Sequence, residues 1–177
     1  VLDTMGVFNN PQLRHRGFFV TPDHPEVGPR EVMGVPVLYG AAQILYDFAS
    51  FDRLFREVAS PNMGMTFCVG TRYESGEDVF EGIRHFGSLG KIFHVHFRNV
   101  HGRIPVDGWY EERAPDEGDL SMFAVARALR QAGYQRAIDY DHIMRLSTDG
   151  PAGREYIAYC VGYMRGILQS VESGAGS

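Results

Sequence analysis

Residues able to do chemistry gather where apolar runs end. Cys68 closes "MTFC", His94 and His96 alternate in "IFHVHF", and Asp141 and His142 finish "AIDYDH". In an extended strand side chains alternate, so His94, His96 and Arg98 share one face. A core would not choose two imidazoles and a guanidinium for that face. Thiolate, imidazole and carboxylate are all metal-ligand types, and a mixed S/N/O set suits Zn, Fe, Mn or Co better than Ca or Mg. Each residue also has a plain structural explanation. Cys68 reads as a buried inert thiol, His94 as a satisfied core histidine one layer deeper, and Asp141 as a turn cap. Their recurrence on successive strand ends favours a site.

Those ends need elements to hold them. Four short apolar runs, 17–21, 65–69, 92–97 and 137–141, read as strands, and four helical periods alternate with them. Ser50 is the expected cap of a helix carrying Phe51, Leu54, Phe55 and Val58. Ser75 and Asp78 are expected to box the start of a helix with Val79, Phe80, Ile83 and Phe86. Asp119 precedes Met122, Phe123, Ala126 and Leu129, with Gly133 as the stop. Pro151 suits a first turn before Ile157, Val161, Met164 and Leu168. This alternation predicts an α/β fold of parallel (β/α) TIM-barrel type, with about four βα units forming a partial barrel. A full eight-unit barrel needs about 250 residues, so the amino-terminal half is expected to lie outside this chain. Two long connections, 22–49 and 98–118, follow strand ends, where such folds place their sites. Lys91, the one lysine, starts its strand and therefore belongs to the opposite face, which argues against Schiff-base chemistry.

The chain has 177 residues, 44% hydrophobic and 22% charged, enough for one domain over 1–177 with a flexible tail at 172–177. A net charge of −5 argues against nucleic acid or a membrane surface as partner. No apolar run approaches the roughly 18 residues of a membrane span. Two cysteines, Cys68 and Cys160, without a CxxC pattern fit a reduced cytoplasmic protein.

The blocks "SPNMGMTFCVG", "RHFGSLGKIFHVHFRNVHG", "DEGDLSM", "DYDH" and "GREYIAYCVGYMRGILQSV" resemble the carboxyl-terminal half of D-mannonate dehydratases, metal-dependent barrels of the xylose-isomerase-like superfamily. The resemblance covers roughly residues 17 to 171. It implies removal of water from D-mannonate to give 2-keto-3-deoxy-D-gluconate, in hexuronate catabolism. It implies Cys68, His96 and Asp141 as ligands of a divalent transition metal, Mn or Fe. His142 and Tyr156 become the catalytic residues, and Arg98 the partner of the substrate carboxylate. The sugar acid is the expected partner, and a homo-oligomer stays open. Two positions depart from the family pattern. Thr21-Pro22 stands where the family has His-Pro, so the fourth ligand is expected to be lost, with substitution by His24, three residues on, as the weaker alternative; Pro115 stands where a histidine is expected. A metal-dependent sugar isomerase or epimerase, and a diverged non-catalytic binder of sugar acids, are the alternative readings.

Overall fold

The computed structural model describes residues 47–174 without a break. Before them it describes Arg14, Leu45 and four two-residue strands: β1 (Phe19–Val20), β2 (Asp23–His24), β3 (Gly28–Pro29) and β4 (Val32–Met33). The chain divides into two compact units, Val1–Tyr46 and Asp47–Ser177.

In the first unit β1 pairs antiparallel with β4, and β2 with β3. The parallel strand expected over 17–21 is therefore replaced, among the described residues, by a local antiparallel pairing. Short connections of this kind close at little entropic cost.

The second unit runs α1 (Phe48–Glu57), β5 (Met65–Cys68), α2 (Val69–Glu74), α3 (Val79–Ser88), β6 (Ile92–His96) and β7 (Asn99–His101). It continues through α4 (Ile104–Asp107), β8 (Glu111–Arg113), α5 (Met122–Gln131), β9 (Ile138–Asp139) and α6 (Arg154–Glu172). Strands β5, β6 and β9 form a parallel sheet in that order. Alternation sends Phe67, Val95 and Phe97, all fully buried, into the core with the helices. Each such side chain contributes about 2 kcal/mol of burial. The other face carries Thr66, Cys68, His94 and His96, with Thr66 opposite His94 and Cys68 opposite His96. Lys91 stands just before β6, at the end away from Cys68 and His96. Its Nζ donates to the Ser60 and Met63 carbonyls.

The helices form where expected, but their caps and faces differ. Asp47, not Ser50, caps α1; Ser50 sits three residues in and closes a reciprocal capping box with it. Ser75 ends α2, a helix the sequence reading omits, and Asp78 alone caps α3 through the Phe80 and Glu81 amides. Ser121 caps α5 because Asp119 is occupied elsewhere. Pro151 lies in the turn before α6, whose first amides bond Asp149 instead. The buried stripe of α6 is Tyr156, Cys160, Met164 and Ile167: Met164 is buried as expected, and the other three lie one residue before the expected positions. Leu168 is consequently exposed.

The 98–118 connection is not a plain loop. It contains the antiparallel hairpin β7–β8, with Val100 opposite Glu112. Asn99, fully buried, donates to the Pro115 and Leu120 carbonyls and accepts from the Val100 and Leu120 amides. Gly118 is required beside it, since a Cβ there would meet the Asn99 amide at 2.3 Å. Asp119 binds His101, Tyr73 and the Gly102 amide. Of the expected tail, Glu172 ends α6 and residues 175–177 lie outside the described residues. Among the described residues no helix is long and apolar enough to cross a membrane.

Candidate metal centre

Three carboxyl-terminal strand ends meet. Cys68 is the last residue of β5, His96 the last of β6, and Asp141 lies two residues beyond β9. One ligand atom from each lies within 4.8 Å of the other two. His96 Nδ1 is 3.2 Å from Asp141 Oδ2, and Cys68 Sγ is 4.0 Å from the same oxygen. Ligands at about 2.1–2.3 Å from one tetrahedral ion are spaced roughly 3.4–3.6 Å apart. The observed separations bracket that spacing, and the donor types suit a transition metal, so these residues fit such an ion.

Asp141 reaches this position through an unusual backbone. Its φ of 60° makes it the one non-glycine residue with positive φ among those described. Strain of this kind, of order 1–3 kcal/mol, persists where surrounding contacts impose it and clusters at functional sites.

A second group, His94, His96 and Asp139, also brings one ligand atom from each residue within 4.8 Å of the others. Here His94 Nε2 and Asp139 Oδ2 are 2.8 Å apart and already satisfy each other. The group shares His96 with the first but lacks a thiolate. His94 is thus tied to a carboxylate beside the site rather than packed as an apolar core residue.

Arg98 is 5% exposed and faces inward. Its Nε donates to Cys68 Sγ at 3.2 Å, its Nη2 to Thr71 and Glu74 at 2.9 Å, and its Nη1 to Glu112 at 2.5 Å. Burial opposes its charge, but the facing Cys68, Glu74 and Glu112 outweigh that and raise its pKa. The expected partner is a substrate carboxylate; the structure gives Arg98 three carboxylates of the chain itself, Glu74, Glu112 and, 3.7 Å from Nε, Asp141. Thr71 Oγ1 also donates to Cys68 Sγ, at 3.1 Å, so the sulfur is held from two sides. Gly70 leaves room for this bracket, because a Cβ there would sit 2.7 Å from the guanidinium.

His142 is half exposed, with Nδ1 2.9 Å from Glu112 and Nε2 3.3 Å from Asp141 Oδ2. Tyr156 is different. It is buried at 3% exposure, and burial, with Cys160 nearby on the same helix, raises its pKa. Both cysteines are free. Thr21 lies outside the described residues, and His24 is in β2. Pro115 supports the hairpin through its carbonyl.

The sequence reading missed Glu74, Glu112 and Asp139. Asp139 was the most accessible, since the spacing of two between Asp139 and Asp141 repeats that of His94 and His96. Glu112 required the β7–β8 hairpin to be recognised first.

The family model for D-mannonate dehydratase (UxuA) matches residues 20–176. Mannonate dehydratase 2 of Halalkalibacterium halodurans is 29% identical over 154 residues, covering 85% of this chain and 43% of the relative. A mannonate dehydratase of Thermotoga petrophila is 31% identical over 121 residues, 67% of this chain and 32% of the relative. The chain thus matches about a third to less than half of the length of such relatives. Among solved structures, mannonate dehydratase from Streptococcus suis serotype 2 superposes with a TM-score of 0.69 at 24% identity, covering 79% of this chain and 41% of that one. A xylose isomerase domain protein from Planctomyces limnophilus gives 0.57 at 18% identity, over 71% and 44%. These likenesses establish the fold as a portion of a (β/α) barrel of the xylose-isomerase-like kind. From the match over residues 20–176, the chain belongs to the D-mannonate dehydratase family.

Proposed function

We propose that the chain carries the metal-binding half of a hydro-lyase that dehydrates D-mannonate to 2-keto-3-deoxy-D-gluconate. The convergence of Cys68 Sγ, His96 Nδ1 and Asp141 Oδ2 is the observation that carries this reading. Those three residues would hold a divalent transition metal, with Mn or Fe suited to the mixed donors. When bound, the ion supplies charge that stabilises an enediolate-like state next to the substrate carboxylate.

The remaining chemistry falls to side chains. The C2 proton must be removed and the C3 hydroxyl must leave as water, after which the enol product tautomerises to the 2-keto acid. His142 is assigned the acid/base role at Nε2, the nitrogen that faces Asp141. Arg98 and Thr71 hold Cys68 in place, and Arg98 does not contact substrate in this reading. Tyr156, buried on α6, is given no step in this reading. The two free cysteines support a cytoplasmic setting.

The test is keto-acid release from D-mannonate by purified protein supplied with Mn or Fe, measured alongside His142→Asn. The reading expects turnover that the variant loses by about 10²-fold or more. Conversion to an isomeric sugar acid without loss of water would replace the lyase with an isomerase. Metal binding without any turnover would leave only a binder of sugar acids.

A further inference from the structure

We propose that Glu112 is the positioning residue for His142, fixing its tautomer and ring orientation so that Nε2 exchanges protons on the metal side. This rests on the acid/base role of His142 proposed above.

Glu112 is the middle residue of β8, and alternation separates it from its neighbours. Glu111 and Arg113 pair with each other at the exposed surface. Glu112 points the other way, with its side chain only 25% exposed. Its Oε1 accepts from Arg98 Nη1 and lies 2.9 Å from His142 Nδ1. Arg98 is itself pinned by Glu74, Thr71 and Cys68, so that oxygen is a fixed point rather than a mobile surface carboxylate. The strand is fixed too, because β8 pairs with β7 and Asn99 anchors β7 to the following loop.

A carboxylate held at Nδ1 selects the tautomer with its proton there and leaves Nε2 to give or take protons. Nε2 lies 3.3 Å from Asp141 Oδ2, the proposed ligand, so the exchanging nitrogen is presented where substrate would meet the ion. Without Glu112 the ring, half exposed to solvent, keeps only the longer Nε2–Asp141 contact and loses the hold on Nδ1. Arg98 retains Glu74, so the core around it survives the change.

The experiment compares wild type, Glu112→Gln and Glu112→Ala as purified metal-loaded proteins. Glu112→Ala is expected to lower kcat on mannonate by roughly 10–100-fold, with KM within about threefold and metal per chain unchanged. Glu112→Gln, which keeps an acceptor oxygen, should retain more of the rate. An independent readout needs no turnover. Long-range 1H–15N correlation of histidine-labelled protein loaded with diamagnetic Zn in place of Mn or Fe, with the His142 signal assigned by His142→Asn, reports the tautomer while the ring is neutral. Wild type should carry the proton on Nδ1, and Glu112→Ala should shift the population to Nε2. An unchanged tautomer, an unchanged kcat, or a loss of kcat in step with a loss of metal would overturn the proposal. If Glu112→Ala does not fold, the wild-type tautomer and Glu112→Gln decide. A wild type inactive on mannonate sinks the parent reading, while the tautomer still judges the Glu112–His142 contact.

Discussion

Cys68 and Asp141, 73 positions apart in sequence, bring sulfur and carboxylate oxygen to 4.0 Å across the end of the parallel sheet. Between them in the sheet stands His96, opposite Cys68 on one side and Asp139 on the other. The site is therefore a property of strand register. A slip of one residue in β6 would turn both His94 and His96 away from it.

The backbone at Asp141 makes the first prediction. Glycine accepts a φ of 60° without the steric conflict an L side chain suffers. Asp141→Gly should be more stable than Asp141→Ala by about 1 kcal/mol in urea unfolding, although both lose the carboxylate. Equal stabilities would mean that the conformation costs nothing.

Arg98 and Glu74 form the most buried ion pair of the site, with side chains 5% and 11% exposed. Arg98→Met should cost about 3–5 kcal/mol, since it strands Glu74 away from water. Adding Glu74→Leu to Arg98→Met should recover part of that loss, because two apolar groups leave no unpaired charge there. Urea midpoints of the single and double variants check this, and no recovery would mean that Arg98 acts mainly through Cys68 and Glu112.

A third prediction concerns acid. Burial alone would raise the Asp119 carboxyl, but hydrogen bonds from His101, the Gly102 amide and Tyr73 outweigh it and hold the pKa below the ordinary value. A folded-state pKa that is depressed stabilises the fold above the unfolded carboxylate pKa of about 3.9, and the contribution fades as pH falls through the folded value. Asp119→Asn should therefore be less stable than wild type by about 1 kcal/mol at pH 7. The difference should shrink towards pH 2. A gap independent of pH would assign the effect to geometry rather than charge.

Much of this was legible in sequence, for identifiable reasons. The apolar runs around Phe67 and Val95 marked parallel strands, and the period-2 pattern of His94 and His96 marked a face without core residues. What stayed hidden depended on partners distant in sequence. The positioning of Arg98 requires Glu74 and Glu112, which are contributed by an unforeseen helix and an unforeseen hairpin. Helix starts were misread because Ser50, Ser75 and Asp119 are all good caps by type, and only local geometry decides which polar residue meets a free amide. The α6 stripe kept Met164 and moved by one elsewhere, because Tyr156 and Cys160 bury as well as Ile157 and Val161 would have done.

The ligand set has its own mutational test. Cys68→Ala should weaken metal retention by at least the roughly 10–100-fold typical of lost outer partners, while Lys91→Gln, at the far end of β6, should leave it unchanged. Metal per chain after dialysis distinguishes the two.

The most direct measurement is X-ray absorption at the metal edge of the purified protein loaded with Mn or Fe. A single ion held by Cys68, His96 and Asp141 predicts one sulfur scatterer in the first shell, together with nitrogen and oxygen, and loss of that sulfur in Cys68→Ala. A first shell of nitrogen and oxygen alone, unchanged in Cys68→Ala, would contradict the account.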